Sequence, residues 1–265
     1  MNVYLSVDIE GVTGALHWDE TELGKEGYAR LRRRMACEAA AVATAAIEAG
    51  ASQVWVKDAH DTGRNLVPED LPAGCRLIRG WSGDPLQMVQ ELDASFDALL
   101  LVGWHSAAGS GSAPLAHSMA TRLAELRLNG RPASELRLHA LAAAELGVPL
   151  GLVAGDAALC AEARAWLPGV RTVSTQEGRG ASVLCADAAA VLEELAAQTR
   201  AALADPVGLP RAPLEDGYLL ELVYKNAADA FRNAHYPGME AAGPHALRLR
   251  SASVREVLRA LLFVA

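Results

Sequence analysis

The chain has 265 residues, 51% of them hydrophobic, enough for a sizeable core in one or two domains of an ordinary globular protein. Its net charge of −8 argues against a nucleic-acid surface. Aromatic residues make up only 5% and alanine is abundant, a composition suited to helices packed closely on a sheet.

Val3, Leu5 and Val7 alternate with Tyr4 and Ser6, which predicts a first strand. It ends in Asp8 and Glu10, after which Gly11 and Gly14 let the chain turn away. Tyr28 to Ala49 reads as a long Ala-rich helix ended by Gly50. Gln53 to Lys57 is the next strand and closes on Asp58-Ala59-His60. Cys75 to Arg79 is a short strand, and Pro85 to Leu92 a helix with its proline near the start. Phe96 to Gly103 contains Leu99-Leu100-Leu101-Val102, the pattern of a strand buried on both faces, and leads to Trp104-His105.

Ser106 to Leu115 is rich in Gly and Ser and reads as a mobile loop. Glu125 to Leu128 followed by Asn129-Gly130 predicts a hairpin. Ser134 can cap a helix running to about Leu146, with Glu135 in its first turn. Pro149 to Ala154 is a buried strand leading to Gly155-Asp156. A helix over Leu159 to Trp166, a strand over Val170 to Ser174 and a helix over Ala186 to Leu203 follow. Pro206, Pro210 and Pro213 mark a linker. Beyond it, Tyr218 to Tyr224, Ala227 to Asn233, Ala246 to Arg250 and Val254 to Phe263 read as β-α-β-α. The expected fold class is therefore α/β: a three-layer, mostly parallel sheet with a smaller C-terminal α+β subdomain. The expected division is a larger α/β domain over residues 1–205 and a small β-α-β-α subdomain over 206–265.

Cys37, Cys75, Cys160 and Cys185 are irregularly spaced, with no Cys-x-x-Cys pair. They read as free, mostly buried thiols in a reducing compartment rather than a disulfide framework or a zinc knuckle. No signal peptide and no apolar run of membrane-spanning length is visible, so a cytoplasmic protein without a membrane partner is expected. Arg30, Arg32, Arg33 and Arg34 form the one basic run, read as a solvated helix face.

Three strand ends carry side chains able to bind a metal: Asp8 with Glu10, His60, and His105. In an extended chain, residues two apart share a face, so Asp8 and Glu10 point the same way. The carboxyl ends of parallel strands lie on one edge of the sheet, where open α/β sheets bind ligands. Two carboxylates this close repel unless a cation or proton lies between them. Imidazoles beside carboxylates favour zinc or a similar ion. Asp58 either orients His60 or caps the loop.

Ser6-Val7-Asp8-Ile9-Glu10-Gly11 resembles the Ser-x-Asp-x-Glu-Gly signature of the DppA-type D-aminopeptidases, a family of zinc metallopeptidases. Similar segments follow in the family's order: Lys57-Asp58-Ala59-His60, Val102-Gly103-Trp104-His105, Ala116-His117-Ser118-Met119, Glu135-Leu136 and Val153-Ala154-Gly155-Asp156. The tail, with Leu220-Glu221-Leu222 and Pro237-Gly238, resembles the family more weakly. The resemblance implies a two-zinc site and a metal-activated water that hydrolyses short peptides, with an N-terminal D-residue as the favoured substrate. Asp8 matches the bridging carboxylate, Glu10 and His60 the other ligands of one zinc, and His105 and Glu135 those of the second. His117 matches the catalytic residue. The resemblance also implies homo-oligomeric rings, a decamer of two stacked pentamers.

The chain departs from the family in two places. The loop between His105 and His117 is unusually rich in small residues and about one residue longer than is common there. Thr175-Gln176-Glu177-Gly178-Arg179 stands where relatives tend to carry a lysine, and Arg179 is not its equivalent. His17, His139, His235 and His245 match no functional segment and read as structural or exposed. Two other classes compete. A haloacid-dehalogenase-like magnesium phosphohydrolase would use Asp8 as nucleophile; Glu10 in place of a second Asp, and the His60/His105 pair, argue against it. A non-catalytic metal-binding assembly protein would keep the fold and turn nothing over.

Overall fold

The computed structural model describes residues 1–111 and 113–265. In chain order its elements are β1 (Asn2–Val7), α1 (Trp18–Thr21), α2 (Tyr28–Glu48), β2 (Gln53–Asp58), β3 (Cys75–Ile78), β4 (Ala98–Trp104), β5 (Leu123–Leu128), β6 (Arg131–Pro132) and α3 (Glu135–Glu145). Then come β7 (Leu150–Asp156), α4 (Ala157–Trp166), β8 (Arg171–Arg179), β9 (Ser182–Cys185) and α5 (Ala188–Leu203). The tail holds β10 (Tyr218–Tyr224), α6 (Ala227–Asn233), β11 (Glu240–Ala241), β12 (Ala246–Ser251) and α7 (Val254–Val264).

The main sheet has the order β3-β2-β1-β4-β7-β8-β9 and is parallel except for β9. The chain runs outward from β1 through β2 to β3, then returns to the other flank of β1 as β4. That reversal makes the β1/β4 boundary a topological switch point, where crevices open at the carboxyl edge. Alternation along β1 sends Val3, Leu5 and Val7 to one apolar cluster, which also holds Met35, Val42, Leu195 and Leu203 from α2 and α5. Tyr4 goes to the opposite cluster with Leu99, Leu101 and Trp104, packed on Leu138, Leu141 and Leu159 from α3 and α4. The expected three-layer, mostly parallel α/β fold is what the chain adopts.

The second sheet is antiparallel, in the order β11-β12-β10-β5-β6. It draws β5 and β6 from before residue 205 and the other three strands from after it. The expected hairpin forms around Asn129 and Gly130, both with positive φ. Side-chain caps start most helices: Ser134 for α3, Asp156 for α4, Asp187 for α5, Asn226 for α6 and Ser253 for α7.

Four local expectations are corrected. Pro85 to Leu92 is not an α-helix but a single 3-10 turn at Gln87–Val89. Asp84 folds the segment into a turn by accepting from the Leu86 N–H, and Gln87 at φ 47° cannot continue a right-handed helix. The strand expected to stop at Ser174 runs on to Arg179 and turns through Gly180 into β9. The thiols are less buried than expected: Cys160 is buried, Cys75 is intermediate, and Cys37 and Cys185 are exposed. The basic run is only partly solvated, because Arg32 bonds Asn65 and Asp70 and Arg34 bonds the Ala188 carbonyl. In the loop expected to be mobile, Ser112 lies outside the described residues.

Glu38 on α2 is fully buried and accepts from both the N–H and the hydroxyl of Thr13, at 3.0 and 2.8 Å. It thereby ties α2 to the turn that follows Glu10. Burial raises its pKa from 4.5 to about 7, against the opposing pull of Thr13. The native chain therefore keeps this proton between about pH 4.5 and 7, where the unfolded chain has lost it, so its contribution to stability falls as pH rises through that window. Glu38→Gln keeps an acceptor for Thr13 and removes the titration. Relative to the parent it should gain roughly 2.5 kcal/mol between pH 5 and pH 8. Urea unfolding of both proteins at the two pH values tests this, and an unchanged difference would refute it.

Candidate metal centre

β1, β2 and β4 deliver the site. Asp8 follows β1 and its N–H donates to the Val102 carbonyl at 2.8 Å, while the Ala59 N–H donates to the Val7 carbonyl at 2.8 Å. Those bonds bring Asp8, His60 and His105 to one level on the carboxyl edge. The approach is close enough to require glycine at Gly103, whose φ is 74° and where any Cβ would lie 2.2 Å from the Asp8 carbonyl oxygen. At Gly11 a Cβ would lie 1.8 Å from the Trp104 carbonyl oxygen.

The side chains form a chain of contacts across the crevice. Asp8 stands in the middle: its Oδ1 is 3.2 Å from His60 Nδ1 and its Oδ2 is 3.5 Å from His105 Nε2. On one side His60 Nδ1 is 3.0 Å from Glu10 Oε2. On the other, His105 Nε2 is 3.2 Å from Glu135 Oε2. His117 stacks on His105 with ring centroids 4.1 Å apart, and its Nε2 lies 3.8 Å from Glu135 Oε1. All six residues named from the sequence thus converge. Five line a cavity of about 420 Å³, and His105 lies behind His117.

Backbone carbonyls set which nitrogen of each imidazole faces inward. His60 Nε2 lies 2.9 Å from the Thr21 carbonyl, so it carries the hydrogen and leaves Nδ1 for the centre. His105 does the reverse: Nδ1 lies 3.0 Å from the Ser106 carbonyl and Nε2 faces the carboxylates. Asp156 fixes that carbonyl's residue by accepting from the Ser106 N–H at 2.7 Å and hydroxyl at 2.5 Å. His117 Nδ1 lies 3.0 Å from the Leu115 carbonyl, leaving Nε2 toward the cavity. Glu135 is pinned by the Met119 N–H at 2.6 Å, with Met119 held at φ 64°.

Asp58 does not bond the His60 ring. It accepts from the N–H groups of Asn65 and Leu66 and from the Asn65 side chain, which in turn donates to the His60 carbonyl. It shapes the loop that carries His60. Sequence reading missed α1, whose Thr21 carbonyl holds His60 and whose Trp18 packs edge-on against His117 at 5.2 Å. The only available signal was the His17-x-x-Glu20 capping pattern, with histidine in an unusual capping role. Gln176 was also missed as a support: it bonds Gly14 and Ala15 in the turn after Glu10. Arg179 pairs with the exposed Glu177 and does not line the cavity.

Without a cation, burial and the Glu10 charge push the Asp8 carboxyl well above the ordinary carboxylate range. Burial works against ionised Glu10 and Glu135 too, yet His60 holds Glu10 well below its usual value and His105 brings Glu135 to about 2. Burial opposes charge on His60 and His105, and the carboxylates outweigh it, raising both. His117 is lowered, by burial and by neighbouring His105. His139, buried under Glu135, is lowered by burial to about 4 and is a neutral support for α3.

These residues fit a pair of metal ions. Glu10 Oε2 and His105 Nε2 are buried and lack a hydrogen-bond partner among the described residues, an arrangement that costs free energy unless something else binds there. Asp8, Glu10 and His105 offer donor atoms within 4.8 Å of one another, and so do His105, His117 and Glu135. The donors are imidazole nitrogens and carboxylate oxygens, which suit zinc.

A D-aminopeptidase family model matches residues 1–263. The chain is 31% identical to a D-aminopeptidase of Bacillus subtilis (strain 168), over 99% of this chain and 96% of that protein. Among solved structures it resembles the Zn-dependent D-aminopeptidase DppA from Bacillus subtilis, a self-compartmentalizing protease. The TM-score is 0.93 at 30% identity, covering 100% of this chain and 96% of that one.

Proposed function

The chain belongs to the D-aminopeptidase family, and from that premise we infer that it is a zinc-dependent aminopeptidase whose two metal ions are held by Asp8, Glu10, His60, His105 and Glu135. The observation that carries this is the placing of Asp8, whose two oxygens face two different imidazoles. Glu10 and His60 complete one ligand set and Glu135 and His105 the other. Two zinc ions bring four positive charges against three carboxylates, which removes the repulsion among them.

Bound zinc supplies Lewis acidity toward a peptide carbonyl and lowers the pKa of water into the neutral range. The chain's own groups do the rest. The Thr21 and Ser106 carbonyls keep Nδ1 of His60 and Nε2 of His105 free to ligate. His117 Nε2, exposed to the cavity, moves the proton that the departing amine nitrogen must gain. Glu22, Asp61 and Asp84 also line the cavity, and among the described residues no lysine or arginine does. That field favours a substrate with a free α-ammonium group, as a peptide N-terminus has.

The substrate in this reading is a short peptide, with a D-residue at its N-terminus. The assembly in this reading is a homo-oligomer, which the self-compartmentalizing relative supports, and the decamer of two pentameric rings is what the family resemblance implies. Residues 1–205 supply every ligand, and residues 206–265 supply Leu262 to the cavity wall. No helix among the described residues is long and apolar enough to cross a membrane. The exposed thiols of Cys37 and Cys185 suit a reducing compartment, and a cytoplasmic site is part of the same proposal. Nothing favours the magnesium phosphohydrolase, because His60 and His105 present nitrogen donors that magnesium binds poorly.

The test is hydrolysis of D- and L-aminoacyl peptides by protein stripped with a chelator and reloaded with zinc. Release of the N-terminal residue should vanish on stripping and return on reloading, with about two zinc ions per chain. Protein holding two zinc ions that cleaves none of these peptides would refute the assignment.

A further inference from the structure

Lys57 is a lysine with no accessible surface, and its charge is satisfied in an unusual way. Its Nζ donates to the Gly80 carbonyl at 2.6 Å and lies 3.9 Å from the centroid of the Trp81 ring. The same indole donates its Nε1–H to the Asp61 carbonyl at 2.7 Å. The Gly80 N–H donates to the Gly63 carbonyl at 2.7 Å, and a Cβ on Gly63 would meet Gly80 N at 2.8 Å. Trp81 is therefore fixed at its edge and on one face, and the Gly80 backbone just before it is fixed too, all to β2 or the loop bearing His60. Yet 42% of it is exposed, and it lines the cavity that holds the metal ligands.

A scattered exposed tryptophan needs no explanation. One held at three points does, because ordering a side chain costs entropy and burying a lysine costs solvation. Cation–π attraction offsets part of that cost. The gain lies in the free part of the ring. One face already meets a cation, so the remainder disfavours a second positive charge and suits an uncharged apolar group. Met88 and Leu262, which line the same cavity, add apolar surface to it.

We propose that Trp81 is the specificity wall against which the apolar side chain of the substrate's N-terminal residue packs, and that Lys57 is the positioning residue that holds it there. This rests on the aminopeptidase reading of the same site. Trp81 is bonded to the residue after His60, so it stands beside the ion that His60 would hold. The residue whose carbonyl is attacked then lies nearest to it.

The experiment compares the parent, Trp81→Ala, Lys57→Met and the double variant, each reloaded with zinc and checked for two zinc ions per chain. Peptides differ only in the N-terminal residue (Gly, Ala, Val, Leu) or only in the second residue. Trp81→Ala should lose kcat/KM through KM, and the loss should grow at least about tenfold from the smallest to the largest N-terminal side chain. Lys57→Met should show the same trend more weakly, and the double variant should be no worse than Trp81→Ala. Hydrogen exchange in metal-free protein should speed up at the Gly80 amide in Lys57→Met. A loss independent of N-terminal side-chain size, a loss that follows the second residue, or additive effects of the two changes would overturn the proposal. Because Trp81 is exposed, Trp81→Ala decides the wall's role even if Lys57→Met does not fold. A parent that cleaves no peptide would instead refute the aminopeptidase reading itself.

Discussion

Asp8→Ala should leave the protein with less than one zinc ion per chain, whereas Glu10→Ala should keep about one. The difference follows from position. Asp8 Oδ1 faces His60 and Oδ2 faces His105, so its loss takes a ligand from both ions at once. Glu10 makes its near imidazole contact with His60, at 3.0 Å, and its loss leaves Asp8, His105 and Glu135 as a three-ligand set for the other ion. Loss of the two-metal clamp removes several kcal/mol of charge stabilisation in the reaction. Turnover of Asp8→Ala should therefore fall by on the order of 10⁴-fold.

A second readout does not involve activity. In metal-free parent protein, burial and the neighbouring Glu10 charge disfavour ionised Asp8 despite His60 and His105 beside it, so removing Asp8 relieves that cost. With chelator present, Asp8→Ala should unfold at a temperature equal to or above the parent's; with zinc present, the order should reverse, because zinc stabilises only the protein that binds it. Metal analysis and thermal unfolding with and without chelator check both halves. Two zinc ions retained in Asp8→Ala would remove Asp8 from the bridging role.

Most of the proposed ligands were legible in the sequence because they sit where a strand pattern ends. Asp8 and His105 directly follow predicted strands and His60 follows one after a short Asp58-Ala59 step, and parallel strands must end on a common edge. Glu135 was harder to see. A carboxylate in a helix's first turn stabilises the helix dipole, and only the family resemblance singled it out. The supports were not legible because they are backbone atoms: the carbonyls of Thr21, Ser106 and Leu115, and the Met119 N–H. Any residue could provide those groups, so no side-chain pattern marks them. The positive φ at Asp61, Gln87 and Met119 is of the same kind, and all three line the cavity. Strain concentrated there is what a site held by its surroundings shows. The 3-10 turn at Gln87–Val89 that replaced a predicted helix is one consequence.

His117→Ala should lower turnover by roughly 10²- to 10⁴-fold while both zinc ions remain. The family resemblance matches this residue to a catalytic histidine, and the structure supplies two further reasons. The hydrogen bond from Nδ1 to the Leu115 carbonyl fixes the ring and leaves Nε2 facing the cavity, ready to exchange a proton. The five proposed ligands give each ion three protein contacts when Asp8 is shared, so filling the coordination does not require His117. One observation points the other way. His105, His117 and Glu135 place donor atoms within 4.8 Å of one another, close enough for His117 to act as a further ligand of the second ion. The ring's stacking on His105 separates the two roles: a side chain held at 4.1 Å by a neighbouring ring and at 5.2 Å by Trp18 keeps its position without a metal bond. Its loss should then cost rate and spare zinc. Metal analysis and peptide hydrolysis on the same folded His117→Ala preparation decide between them. Activity lost with two ions retained assigns His117 to proton transfer, activity lost together with one ion makes it a ligand, and near-parent turnover takes it out of the mechanism.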